Sequence, residues 1–432
     1  MNLPLSLLRV LPVLPSRWIT GALRAVCGSR RLRGFLRGRE SDALAGMEDP
    51  GRVLLISDVN IGDAINIQPA VEVLHERFPA CRIDYVHSAA AVSLVENNPD
   101  IARSLPLFEG RFIPEEEECE EVRRLAATGG YDLILSFCPF LPEDALEAAD
   151  CPVITPIRLI CGIVDKACAG NGARAGMTEN LASYVGQLAD ECAGEETDAG
   201  EASESGPKIY LRCRSLRRRD EWLAKEGLWA GRRTVLFNPD ASNLYTLFPR
   251  ERQVELLRRL LADEACEQLL LGSGFTFEGI ERRVLGELGT DLRRKVTIVP
   301  PELPIDAYAA LTDACDVFIT ADTGPMHIAA ARKVCVEEDG TFRNSTSVIG
   351  LFGPTLPRVY GYDSTRKGYT PANQDAPSRV FEARCTRKNL TCSLARIAEQ
   401  CSGGSCFRGL DPGEVAGCAL GFLRRVVASS RV

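Results

Sequence analysis

From residue 52 onward the sequence alternates short apolar runs with longer segments whose apolar residues recur at helical spacing, and it does so in two blocks. In the first, "RVLLISD", "RIDYVHS" and "YDLILSF" read as buried strands and "AINIQPAVEVLHERF" as a helix. In the second, "TVLFNPD", "EQLLLGSG", "VTIVPP", "CDVFITAD" and "SVIGLFG" read as strands, with "RQVELLRRLLADEA", "GIERRVLGELG", "IDAYAALTDA" and "PMHIAAARK" as helices among them. Strands that alternate with helices predict a parallel sheet with helices on both faces. Between the blocks, "DECAGEETDAGEASES" holds acids, Ala, Ser and Gly and no large apolar residue, so it predicts a linker. A chain of 432 residues is too long for one ordinary core. The expected organisation is an Arg-rich segment over 1–49, a doubly wound α/β domain over 50–188, the acidic linker over 189–206 and a second α/β domain over 207–432. Ligands of such sheets bind outside the carboxyl ends of the strands, so a central cleft between two facing domains is the default site.

Composition removes several function classes. Apolar residues at 45% and charged residues at 25% describe a soluble globular protein. A net charge of -8 argues against a general nucleic-acid partner, which needs a broad basic surface. Residues 1–39 differ from the rest: they hold eight Arg, among them Arg30, Arg31, Arg33, Arg37 and Arg39, and no acid. "LPLSLLRVLPVLP" is too short and too broken to span a bilayer. The segment reads as a disordered tail, as an organellar transit peptide, or as a membrane-surface element in which Trp18, Leu23 and Phe35 anchor beside arginines that face anionic lipid. Seventeen Cys without a secretory signal read mostly as small reduced core residues. Cys385, Cys392, Cys401 and Cys406 cluster near the end, but without CxxC spacing or a nearby His the expected metal content is none.

The chemistry-bearing stretches sit at strand ends. GxGxxG and GxxxxGK[ST] are absent, which disfavours a dinucleotide enzyme and a P-loop NTPase. In "ITADTGPMHIAAA" a strand runs into a helix, Asp322 or Thr323 suits the N-cap, Pro325 the first turn, and Gly324 lets the backbone approach a ligand. That arrangement predicts an anion site fit for a diphosphate, with His327 as a side-chain donor; the alternative is a His satisfied by local hydrogen bonds. In "ISDVNIGDAINIQP" Gly62 permits a tight turn and Asp63 falls where the next helix opens. Asp63 is either an N-cap or a general base for a hydroxyl nucleophile. "FNPDAS" and "GLFGPT" add two more polar, turn-forming strand ends.

Taken together, "VLLISDVNIGDAINIQPAVEVL", "FNPDAS", "ADTGPMHIAAA", "LFGPTLP" and the tail "CFRGLDPGEVAGCALGFL" resemble glycosyltransferase family 9, the lipopolysaccharide heptosyltransferases. The resemblance implies a GT-B fold, with a Rossmann-like acceptor domain first and a Rossmann-like nucleotide-sugar domain second. It also implies inverting, metal-independent transfer without a cofactor from a nucleotide-diphosphate sugar such as ADP-heptose to a lipid-linked or core oligosaccharide acceptor. By position Asp63 is the implied base. The implied donor-binding set is Asp322, Thr323, Gly324, Pro325, Met326 and His327, with Ser242 and Gly62. The implied location is cytoplasmic, at the inner-membrane face, with residues 1–39 touching the bilayer. The sequence departs from the family at Thr246 and Leu247, where Lys and Arg are usual, and at Asp240, where Gly is usual. A carboxylate at 240 repels a diphosphate unless it faces away, and Arg250 is a candidate to compensate. Two readings stand beside this one: a GT-B enzyme that uses another donor or epimerises a nucleotide sugar, and a non-catalytic nucleotide-sugar-binding protein.

Overall fold

The computed structural model describes residues 30–44, 47, 49–57, 60–109, 114–139, 141–155, 157–169, 173, 175–192, 206–228, 232–337, 340–341, 345–383, 406–407 and 409–429. The chain forms two compact units, Met1–Tyr210 and Leu211–Val432.

The first unit is built on five strands: Arg52–Ile56 (β1), Arg82–Ser88 (β2), Arg103–Phe108 (β3), Leu133–Ser136 (β4) and Val153–Ile154 (β5). They pair in parallel in the order β3-β2-β1-β4-β5. This is the doubly wound order, in which the chain reverses direction across the sheet between β1 and β4. The predicted long helix after β1 is two helices, Ile61–Asn66 and Gln68–Arg77, broken at Ile67. Pro69, in the first turn of the second helix, is the reason: it has no N–H to continue the ladder from the first. The Ala64 carbonyl left at the break accepts from Gln68 Nε2 at 2.8 Å and from Tyr85 Oη at 3.1 Å.

Two expectations about segment boundaries change. Part of the Arg-rich segment, Arg30–Leu44, is a helix, and it packs on the helices Ile157–Ala169 and Met177–Cys192. Glu40 pairs with Arg158 at 2.6 Å and accepts from Tyr184 Oη at 2.8 Å, while Ser41 Oγ donates to Glu191 at 3.1 Å. The acidic run begins inside a helix, since Asp190, Glu191 and Cys192 close Met177–Cys192. Burial pushes the Glu40 carboxyl up to about 7 against the pull of Arg158. Residues 1–29 and 193–205, and with them Trp18, Leu23 and most of the expected linker, lie outside the described residues, as do Cys385, Cys392 and Cys401.

The chain passes from one unit to the next within Lys208–Leu211 (β6). The second unit carries Thr234–Asn238 (β7), Gln268–Gly272 (β8), Val296–Val299 (β9), Val317–Ala321 (β10), Arg332–Cys335 (β11), Gly340–Thr341 (β12), Ser347–Phe352 (β13) and Arg379–Glu382 (β14). Six of these make a parallel sheet in the order β14-β13-β10-β7-β8-β9. Its reversal lies between β7 and β10. Strand alternation divides its side chains between two cores. Val235, Phe237, Leu269, Leu271, Val317, Ile319, Ile349 and Leu351 pack with residues of the helices Arg250–Ala262 and Pro412–Ser429. Leu236, Leu270, Phe318 and Val348 pack on the other face with Trp222, Leu311, Met326 and Ala329. Among the described residues no helix is long and apolar enough to cross a membrane.

Candidate functional site

In the first unit the strand end at the reversal is β1. Ser57 closes it, buried, with its amide donating to Val86 O at 2.9 Å. Asn60 then takes the N-cap of Ile61–Asn66 with extended backbone, which puts Ile61, Gly62 and Asp63 on the first turn. Asp63 is therefore not the cap. Its carboxylate accepts from Asn60 Nδ2 at 3.0 Å and from the Asn60 amide, the second half of a capping box. Gly62 is buried inside the helix and is not among the described glycines with positive φ, so it serves no left-handed turn. Burial raises the Asp63 pKa, and the Asn60 hydrogen bonds oppose that rise only in part. A carboxylate of raised pKa is, in its ionised form, the stronger proton acceptor. One turn on, buried Asn66 accepts from Thr178 Oγ1 at 2.9 Å, which fixes this helix against the start of Met177–Cys192.

In the second unit the reversal is marked by a polar network. Asn238, the last residue of β7, donates from Nδ2 to Thr320 Oγ1 at 3.0 Å and to Asp240 O at 3.2 Å. Thr320 lies opposite it in register on β10 and shares a hydrogen bond with Thr323 Oγ1 at 3.2 Å. Asn238, Thr320, Thr323 and His327 are all buried. Thr323, not Asp322, is the N-cap of Gly324–Ala330, and its hydroxyl makes no cap bond. Pro325 has no N–H and the Met326 amide donates back to Thr323 O at 3.0 Å, so Gly324 supplies the first-turn amide. A helix of seven residues contributes little dipole, so the side chains around its start matter more than the sequence suggests. Met326 turns away into the core: it is fully buried, and a Cβ on Gly350 would stand 3.1 Å from its Sδ.

His327 Nδ1 is hydrogen-bonded to Tyr362 Oη at 2.8 Å, with the two rings edge to face. Burial lowers its pKa to about 4, so the imidazole is neutral at pH 7. With the Tyr362 hydroxyl donating to Nδ1, the ring proton sits on Nε2, which is then a donor. His87 in the first unit is also held at about 4 by burial, and its nitrogens meet Ser88 O at 2.8 Å and Ser104 Oγ at 2.7 Å. Both folded values lie below the ordinary 6.5, so the unfolded chain binds more protons between pH 6.5 and 4. Their contribution is complete above about pH 6.5 and is lost on acidification, about 3 kcal/mol for each His by pH 4. Thermal unfolding followed from pH 7 to 4.5 is expected to show this loss, and His327→Gln should flatten the profile of the second unit.

The family departures acquire a structural explanation. The Asp240 carboxylate is taken up by protein donors: it accepts from the amides of Phe275, Thr276 and Phe277 at 2.7, 2.8 and 3.1 Å. It thus ties the loop after β7 to the loop after β8, and on that second loop Phe275 is 73% exposed. Thr246 is turned inward, its amide on Asn243 Oδ1 at 3.1 Å and its hydroxyl on Asn243 O at 3.2 Å. Ser242 is exposed on the same loop, where Asn243 Nδ2 reaches its hydroxyl at 3.4 Å. Arg250 is not aimed at this loop; it pairs with Glu287 at 2.9 Å. Gly353 is where Phe407 packs, since a Cβ there would stand 2.8 Å from its ring. Tyr362 and the carboxylate role of Asp240 were not readable from the motifs, because the partners lie 35 or more residues away in sequence.

Two sheets of doubly wound order, with polar groups gathered at their reversal points, define a GT-B-type α/β protein. The family model described as glycosyltransferase family 9 (heptosyltransferase) matches residues 198–390. The resemblance to that family is borne out, and with it the expectation of a glycosyltransferase enzyme. Among solved structures, a glycosyl transferase family 9 protein from Veillonella parvula is similar at a TM-score of 0.60 and 17% identity, covering 87% of this chain and 98% of its own. The E. coli ADP-heptose lps heptosyltransferase II is similar at 0.54 and 17%, with 87% and 99% covered. E. coli heptosyltransferase WaaC with ADP is similar at 0.50 and 16%, with 86% and 99% covered. At these identities the likeness is one of fold. No curated protein matches by sequence.

Proposed function

We propose that the protein is an inverting, metal-independent glycosyltransferase that moves a heptose from an ADP-heptose-like donor to a lipid-linked or core oligosaccharide hydroxyl. The observation that carries this reading is the coincidence of two things in the second unit: the segment matched by the family model, and the buried Asn238–Thr320–Thr323 network at the sheet's reversal. The ADP-heptose named for one similar structure and the ADP bound in another support the choice of donor.

In this mechanism Asp63 takes the proton from the acceptor hydroxyl as its oxygen bonds to the anomeric carbon. The bond from that carbon to the diphosphate oxygen breaks on the opposite face, which inverts the centre, and the nucleoside diphosphate leaves. The Gly324 amide, the Thr323 hydroxyl and the His327 Nε2–H are donors suited to the charge that develops on the departing oxygen. A neutral imidazole gives a hydrogen bond without losing its proton. The basic N-terminal segment suits an acceptor carried on an anionic bilayer.

The donor is tested by heat stability of the full chain with ADP-, UDP- and GDP-linked sugars. At about 100 times Kd a true donor adds about 2.7 kcal/mol, or about 5–10 °C. A rise with a UDP sugar and none with an ADP sugar would replace the donor named here. A rise with ADP-heptose but no transfer to any core acceptor would leave a binding protein instead.

A further inference from the structure

The helix Cys213–Lys225 opens at Cys213, and β11 ends at Cys335, 122 positions later. Their sulfurs stand 3.4 Å apart. Two hydrogen bonds bracket them: Val336 N–H donates to Leu211 O at 3.0 Å, and Cys213 N–H donates to the Glu337 carboxylate at 2.8 Å. The two backbones are therefore held side by side at the thiols, and a covalent bond needs the sulfurs only about 1.4 Å closer, to about 2.0 Å. Cys335 is buried while Cys213 is half-buried, so a small reagent meets Cys213 first. Other buried thiols are placed differently. Cys315 and Cys266 sit in the cores with their sulfurs on main-chain carbonyls, Leu311 O at 3.4 Å and Gln268 O at 3.7 Å.

We infer that Cys213 and Cys335 are a dithiol redox site that closes to a reversible disulfide. The oxidant is a low-molecular-weight disulfide. Cys213 as thiolate attacks one of its sulfurs, forming a mixed disulfide and releasing one small thiol. Cys335 then attacks the Cys213 sulfur, the mixed bond breaks, and a second small thiol leaves. The protein pair is oxidised, the small disulfide is reduced to two thiols, and the protons of Cys213 and Cys335 end on those thiols. The new bond ties the start of a helix to the strand that continues directly from Gly324–Ala330. It does not depend on which sugar is transferred.

The test uses the full chain incubated with oxidised glutathione, then alkylated at remaining thiols and digested for mass spectrometry. The expected product is one cross-linked peptide pair containing Cys213 and Cys335, lighter by a pair of hydrogens than the reduced peptides and abolished by dithiothreitol. The oxidised chain should melt higher by about 5 °C or more, because the bond closes a long loop. Cys213→Ser, at a half-buried position that tolerates the change, should show neither the cross-link nor the rise. Alkylation of both cysteines after oxidation, separate glutathione adducts on each, or cross-links that pair either one with a different cysteine would overturn the assignment.

Discussion

Asp63→Asn is expected to lower kcat by about 10²–10⁴-fold, the usual contribution of a positioned general base, while leaving donor affinity unchanged. The substitution keeps the shape of the side chain and an oxygen for the Asn60 hydrogen bond, so the first turn of Ile61–Asn66 survives. A second readout separates lost chemistry from lost fold, and its sign comes from the pKa. Burial raises the Asp63 pKa, so the folded chain holds the ionised form less well than the unfolded chain does. A group of this kind contributes stability below its unfolded pKa and loses it as pH rises through the folded one. At neutral pH the carboxylate is thus a burden on the fold, and Asn removes it. The variant should melt higher than the parent and turn over poorly, the pattern of a residue kept for activity at some cost in stability. Near-parental kcat with core acceptors would remove Asp63 from the mechanism whatever the melting temperature did.

Much of the fold is legible in the sequence because short continuous apolar runs and helical spacing leave a local signature. β7, β10 and β13, buried along their whole length, are the runs "TVLFN", "VFITA" and "SVIGLF" that read as strands at once. The strand order is not local in this way: nothing in "TVLFN" says that its neighbours are β10 and β8. Pro69 marks the break at Ile67, although the apolar spacing runs through it uninterrupted. The strand-end motifs point to particular loops, but the chemistry of those loops depends on partners brought in by the fold. Asp240 looked hostile to a diphosphate because its three amide donors belong to residues 275–277. For His327 the sequence left a ligand donor and a locally satisfied ring side by side, because neither its burial nor Tyr362, 35 positions on, is written near it. Composition sets the Arg-rich run apart, but it does not announce that Glu40 and Ser41, just past that run, fasten the helix Arg30–Leu44 to the first unit.

Lys333 carries the same lesson to its largest energetic consequence. The expected helix "PMHIAAARK" ends early, at Ala330, and Lys333 lies on β11, where its side chain is fully buried and pairs with Asp313 at 2.9 Å. Burial lowers the Lys333 pKa and raises that of Asp313, and each charge opposes the shift of the other. Its Nζ also donates to Ala329 O at 3.3 Å, near the carboxyl end of the helix whose first turn is proposed to meet the donor. Lys333→Met keeps most of the volume but strands Asp313 without its cation. The expected cost is about 3–5 kcal/mol, read by urea unfolding of the second unit or as a fall of about 6–20 °C in its melting. Combining it with Asp313→Leu should restore most of that loss, because the penalty comes from an unmatched buried charge and not from a missing attraction. If the double variant stayed as unstable as Lys333→Met alone, the ion pair itself would be what holds this end of the helix. Donor affinity then separates the roles: it should fall in the single variant and return in the double one only if the Asp313 charge, rather than the lost bond to Ala329 O, displaces the helix.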